Sequence, residues 1–192
     1  MTSRDQRMLE AEATLIEQVI QKGLKRLEVD QQLRQIRIVP KEDFRYSSLL
    51  GVETKLEDSV EAEVPFYIAE QLLDEGMADP AGKVLDHKAL AMIAWDERHK
   101  ASGISRVPEF FYRQLTLLIS SNKMTEKTRR IAEASAIEVM DARLKKILTY
   151  SLVPSLPHEI LANLTPEESY LLELLRMVMS CWREEVLGVG RE

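Results

Sequence analysis

Residues 60–73 read VEAEVPFYIAEQLL, and the period of their apolar positions changes at the proline. In Val60-Glu61-Ala62-Glu63-Val64, apolar and acidic residues alternate strictly, the pattern of a strand with one buried and one wet face. Pro65 suits a first helical position, and Ile68, Ala69, Leu72 and Leu73 then form one helical stripe that stops at Gly76. Strand passes to helix here.

Upstream, Ile36 and Ile38 alternate with Gln35 and Arg37 until Pro40 ends the run, and a further short strand is predicted from Leu50 to Leu56. Three short strands make a sheet too small to stand without helical cover. Before them, Asp5 to Leu33 predict a long amphipathic helix, with Leu9, Ile16, Ile20, Leu24 and Leu27 in one stripe widened by Leu15 and Val19. Such a helix either packs on its own domain or serves as an arm for a partner chain.

Downstream, Asp79-Pro80-Ala81-Gly82 is a turn cluster and a candidate hinge. Asp86 caps a helix carrying Leu90, Ile93 and Ala94, and Pro108 opens another with Phe111, Leu115, Leu118 and Ile119 on one face. A long helix from about Thr125 to Leu152 carries Ile137, Met140, Leu144, Ile147 and Leu148. Thr165-Pro166-Glu167-Glu168 holds a cap, a first-turn proline and a capping-box glutamate. The helix that follows is expected to bury Leu171, Leu174, Leu175, Val178 and Trp182 and to end at Gly188. The fold class is therefore mainly α, with an N-terminal amphipathic helix (1–34), a small β-containing domain (35–64) and an α-helical domain (65–192).

Composition agrees with a soluble globular chain: 192 residues, 45% hydrophobic and 30% charged. The single cysteine, Cys181, excludes an intrachain disulfide and a cysteine-based zinc site, and reads as a small core residue in a reducing compartment. No apolar run approaches the roughly 20 residues that span a bilayer. The opening MTSRDQRMLEAEA lacks the continuous apolar core of a secretory leader. Net charge is −6, and residues 1–83 hold 11 Lys and Arg against 17 Asp and Glu, so the acid excess is N-terminal. Eight acids and no base lie between Leu56 and Gly82, a surface that repels a phosphate backbone.

The chain reads as non-catalytic, without metal or cofactor. Its seven glycines assemble neither a phosphate-cradling loop nor a dinucleotide fingerprint, and no serine sits in a nucleophile elbow. Asp96 and His99 have the spacing of two metal ligands, but no second such pair accompanies them, and a solvated helix face accounts for them. Lys123, Lys127, Arg129 and Arg130, then Arg143, Lys145 and Lys146, form two basic clusters. They suit either a solvated face with ion pairs to Glu126, Glu133 and Asp141 or contact with an acidic partner or with phosphate. Phe110, Phe111 and Tyr112 are consecutive, so on a helix they point three ways and call for a second buried surface, such as a subunit interface.

The segments IRIVP (36–40), VEAEVPFYIAEQL (60–72), VPEFFY (107–112), ARLKKIL (142–148) and NLTPEE (163–168), in that order and spacing, resemble the GINS family of DNA replication factors in its archaeal form. The order is that of the small-domain-first class, the counterpart of the second and third eukaryotic GINS subunits. Tyr67 stands where the family carries tryptophan, and Val107-Pro108 where it carries Leu-Pro. The resemblance implies a non-enzymatic scaffold in a tetramer, formed with a helical-domain-first paralogue or with itself. It further implies that the scaffold joins the MCM helicase and a RecJ-like protein, with at most weak direct DNA contact and no membrane. Its place would be the cytoplasm, at the nucleoid through the replisome. The candidate subunit or partner interface is Phe110, Tyr112, Trp95, Arg143, Lys146, Phe66 and Tyr67. The candidate helicase-side surface of the small domain is Ile36, Ile38, Phe44, Glu61 and Glu63. A rival function is a helical adaptor that binds a different protein through its N-terminal helix, and another is an enzyme with a carboxylate-rich metal site.

Overall fold

Helix α1 (Ser3–Gln32) leads into five short strands, β1 (Gln35–Pro40), β2 (Phe44–Ser47), β3 (Glu53–Leu56), β4 (Ala62–Pro65) and β5 (Ala78–Pro80), with helix α2 (Phe66–Asp74) between the last two. Five further helices follow: α3 (His87–His99), α4 (Phe111–Ser120), α5 (Glu126–Ser151), α6 (His158–Ala162) and α7 (Pro166–Leu187). This computed structural model describes residues 3–47, 51, 53–100, 103–120 and 124–188, and side chains from Glu12 onward. The chain is mainly helical, as the periodicity predicts.

Packing divides the chain into Met1–Val84 and Leu85–Glu192. In the first unit β1 is the central strand, antiparallel to β4 on one side (Ile36 opposite Val64, Ile38 opposite Ala62) and to β5 on the other (Pro40 opposite Ala78). A separate hairpin pairs β2 with β3, with Phe44 opposite Leu56. The inward residues Ile38, Leu56, Val64 and Ala78 meet Ala69 and Leu72 of α2 in one core. Helical cover for a small sheet is supplied locally.

Three sequence expectations change here. The boundary expected between residues 64 and 65 lies instead after Val84, because α2 covers the sheet and β5 pairs with β1. Asp79 and Pro80, expected in a turn, are strand residues opposite Val39 and Ile38. Pro65 closes β4 and caps α2 rather than taking the first helical position. The strand expected over 50–56 is present from Glu53, Leu50 and Val52 lying outside the described residues and Gly51 outside the strand, and its partner β2 had no separate periodic signal.

In the second unit Asp86 caps α3 by accepting a hydrogen bond from the Ala89 amide at 2.7 Å. One core gathers Leu85, Leu90, Ala94, Phe111, Leu115, Ala132, Ala136 and Val139, and a second gathers Ile104, Ile147 and Leu172. Helix α5 packs against both α3 and α7. Its inward line is Ala132, Ala136, Val139, Arg143 and Ile147. Ile137, Met140, Leu144 and Leu148 are exposed. At α7 the capping box forms as expected, with Thr165 and Glu168 bonded reciprocally, and Gly188 ends the helix in the left-handed conformation at φ 64°. Val178, Trp182 and Cys181, expected in the core, are exposed.

Candidate functional site

The second unit closes around Arg143, only 1% exposed on α5. Its Nε and Nη2 donate to Oε1 and Oε2 of Glu168, each at 2.6 Å, a bidentate pair. Nη1 donates to Glu97 Oε1 at 2.6 Å and to the Ser105 carbonyl at 2.8 Å, and Nη2 donates also to the Asn163 carbonyl at 3.0 Å. All five guanidinium N–H groups are thus used, which only a planar fork permits. Glu97, buried on α3, also accepts from the Ser105 amide at 2.8 Å and from Lys146 Nζ. Glu168 takes the Tyr112 hydroxyl at 2.7 Å and the Thr165 amide at 2.9 Å, so the capping glutamate is also half of the ion pair.

Two cations, Arg143 and Lys146, face two carboxylates, Glu97 and Glu168, and the buried charge cancels. Burial alone opposes the charged guanidinium, but the hydrogen bonds and charge of Glu168, followed by the charge of Glu97, hold Arg143 above its ordinary range. The Tyr112 phenol is pushed far up, first by burial and then by the charge of Glu168. Every network oxygen named here is engaged by a donor inside the protein. Its chemistry is locking: it ties α3, α4, α5, α7 and the 103–108 segment into one unit.

This corrects the interface reading of three residues. Arg143 and Lys146 are internal partners of Glu97 and Glu168, and Tyr112 is half-buried and bonded inward, so none of them offers its polar group to a partner. Phe110 is half-buried and precedes α4, with a left-handed φ of 54°, so the three aromatics do not share one helix. Trp95 is 59% exposed and stacks on His99 with ring centroids 4.2 Å apart. In the first unit Phe66 is buried and Tyr67 half-buried. Of the small-domain candidates, Ile38 is core, and Ile36 and Phe44 are half-buried against it. Glu61 and Glu63 are exposed, and Glu61 pairs with Arg37 at 3.0 Å.

The surface of the second unit is marked instead by apolar residues that periodicity alone assigns to a core. Ile137 (61% exposed), Met140, Leu144 and Leu148 follow one another on α5, and Met177, Val178 and Trp182 (58% exposed) lie on α7. Runs of this kind on a folded surface mark interaction sites. A shallow groove of about 630 Å³ between α3 and α5 is lined by Arg98, Lys100, Lys145, Glu138 and Asp141, and Arg98 pairs with Glu138 within it.

Of the basic clusters, Arg130 pairs with Glu126 at 3.1 Å, and Lys123 lies outside the described residues. Among the described residues no three His, Cys, Asp or Glu side chains gather into a set that could hold a metal ion, and no helix is long and apolar enough to cross a membrane. The Glu97 and Glu168 partnership was missed in the sequence. Its one signal was Arg143 standing in register with Ala132, Ala136 and Val139 at spacings of 4, 3 and 4. No protein-family profile matches the chain, and no curated protein matches it.

Proposed function

We propose that the protein is a non-catalytic scaffold subunit that assembles with related chains through the exposed apolar stripe of α5, in a GINS-like replication complex supporting the MCM helicase. The observation that carries the assembly is that face: Ile137, Met140, Leu144 and Leu148 stay exposed while Arg143 and Ile147 close the interior. These side chains are about half exposed, so burial against another chain recovers on the order of half of the roughly 1.5–3 kcal/mol that full burial gives each. The replication role rests on the ordered resemblance of segments between residues 36 and 168. As a scaffold the protein acts by binding one state of its partners more tightly and so shifting their equilibrium toward the active helicase.

The test is native mass determination of the chain alone and co-expressed with a helical-domain-first paralogue, followed by copurification with MCM. A four-chain assembly that retains MCM is expected. A chain that stays monomeric in both preparations overturns the assembly, and an assembly that ignores MCM overturns the replication role and leaves the adaptor reading in its place.

A further inference from the structure

The chain passes from its first unit to its second through residues 81–85, and both ends of that passage are tied down. At the first end, the Ala81 amide donates to the Arg37 carbonyl at 3.2 Å, which carries the pairing of β5 with β1 one bond further. At the second end, Leu85 is only 3% exposed and lies in the core with Leu90, Phe111 and Leu115. A buried amide there must find an acceptor. Leu85 donates to Gln114 Oε1 at 2.8 Å, and Gln114 Nε2 in turn donates to the Glu109 carbonyl at 2.8 Å. Both ends of one α4 side chain thus hold the first residue of the second unit in place. Asp86, the cap of α3, follows at once.

Gly82, Lys83 and Val84 lie between the two ties, and all three are exposed, Val84 at 58%. None of them has a hydrogen bond or an ion pair among the described residues. A Cβ added at Gly82 would meet nothing within 4 Å, so no neighbouring atom crowds this backbone. Glycine also reaches both signs of φ, which makes Gly82 the natural pivot. Three residues span at most about 11 Å, enough to rotate one body against another but not to part them widely. Few residues between abruptly fixed ends is the form of a hinge, in which those residues absorb the change in φ and ψ.

We propose that Gly82-Lys83-Val84 is a hinge on which the two units reorient as rigid bodies, and that Gln114 is the clasp that fixes its second end. The hinge does not depend on the function proposed above.

The experiment measures distances between nitroxide labels by pulsed electron paramagnetic resonance in the full chain carrying Cys181→Ser. One label is placed through Gln71→Cys on α2 and the other through Ala134→Cys on α5, both exposed positions. Labelled chain is diluted into unlabelled chain, so that only distances within one molecule are read. Ala134→Cys with Glu173→Cys, inside the second unit, is the control pair. The distribution across the hinge is expected to be at least about twice as wide as that of the control. Lys83→Pro with Val84→Pro, which fixes two φ angles and restricts Gly82, should narrow it to the control width. Gln114→Ala should widen it further and speed hydrogen exchange of the Leu85 amide at least about tenfold. A native distribution as narrow as the control makes the two units one rigid body and overturns the proposal. A wide distribution that the proline variant leaves unchanged puts the motion elsewhere and overturns it too. Unchanged Leu85 exchange in Gln114→Ala overturns the role of the clasp.

Discussion

Arg143 on α5 grips both carboxylate oxygens of Glu168, twenty-five residues further along the chain, at 2.6 Å each. Glu168 already closes the capping box of α7, so one side chain starts a helix and fastens that helix to its neighbour. Breaking the pair from either end leaves a buried charge uncompensated. Arg143→Ala should therefore cost about 3–5 kcal/mol. Urea unfolding followed by circular dichroism measures it, and Arg143→Lys should recover little, since an ammonium cannot occupy the same fork. A near-neutral Arg143→Ala would show that the network does not hold the unit together.

Tyr112→Phe removes the hydroxyl that Glu168 accepts and should cost about 1–3 kcal/mol at neutral pH. The folded phenol is held above its ordinary value of 10.0. Its contribution is then fully present below that value and is lost as pH rises beyond it, because the unfolded phenol ionises first. Wild type should lose stability more steeply than Tyr112→Phe above about pH 10, the difference in slope approaching about 1.4 kcal/mol per pH unit. Urea midpoints for both proteins across the alkaline range supply the comparison, and parallel curves would contradict it.

Thr165→Ala deletes the hydroxyl that accepts from the Glu168 amide at 3.3 Å. A loss of about 1 kcal/mol is expected. Thr165→Ala with Arg143→Ala should fall short of the sum of the single losses, because both act on the setting of Glu168. A double-mutant cycle by chemical unfolding reads the coupling, and strict additivity would separate the cap from the ion pair.

Leu144→Asp with Leu148→Asp should leave the helical circular dichroism of the chain intact, since both residues are exposed. If the exposed apolar stripe of α5 assembles the protein, the same variant should weaken association at least about thirtyfold, as loss of central apolar anchors does. Light scattering over a dilution series decides between this and an unchanged mass.

Cys181 is exposed beside Trp182 on α7. Its thiol should react with Ellman's reagent in the native protein about as fast as in urea. Slow reaction of the isolated native chain would return Cys181 to the core.

Local chemistry was legible in the sequence because it acts between near neighbours. Asp86 and Thr165 announce their helices by side chains that bond amides three residues on, and Ile36, Ile38 and Val64 declare strands by alternation. β5 was hidden, because three residues containing a proline show no period and become a strand only when β1 lies beside them. Helix α5 was recognisable as a helix, but not which way it faced. Ile137, Met140, Leu144 and Leu148 form the more apolar stripe, yet tertiary packing turned Ala132, Ala136 and Val139 inward and carried Arg143 with them. That choice is available only once Glu97 and Glu168, far apart in the chain, converge to neutralise the guanidinium. Sequence alone determined the element type where capping residues or a clear period act between close neighbours, as at Asp86, Thr165 and Ile36–Ile38. Tertiary structure decided which faces are buried, because a buried charge is tolerable only where its partners meet in space.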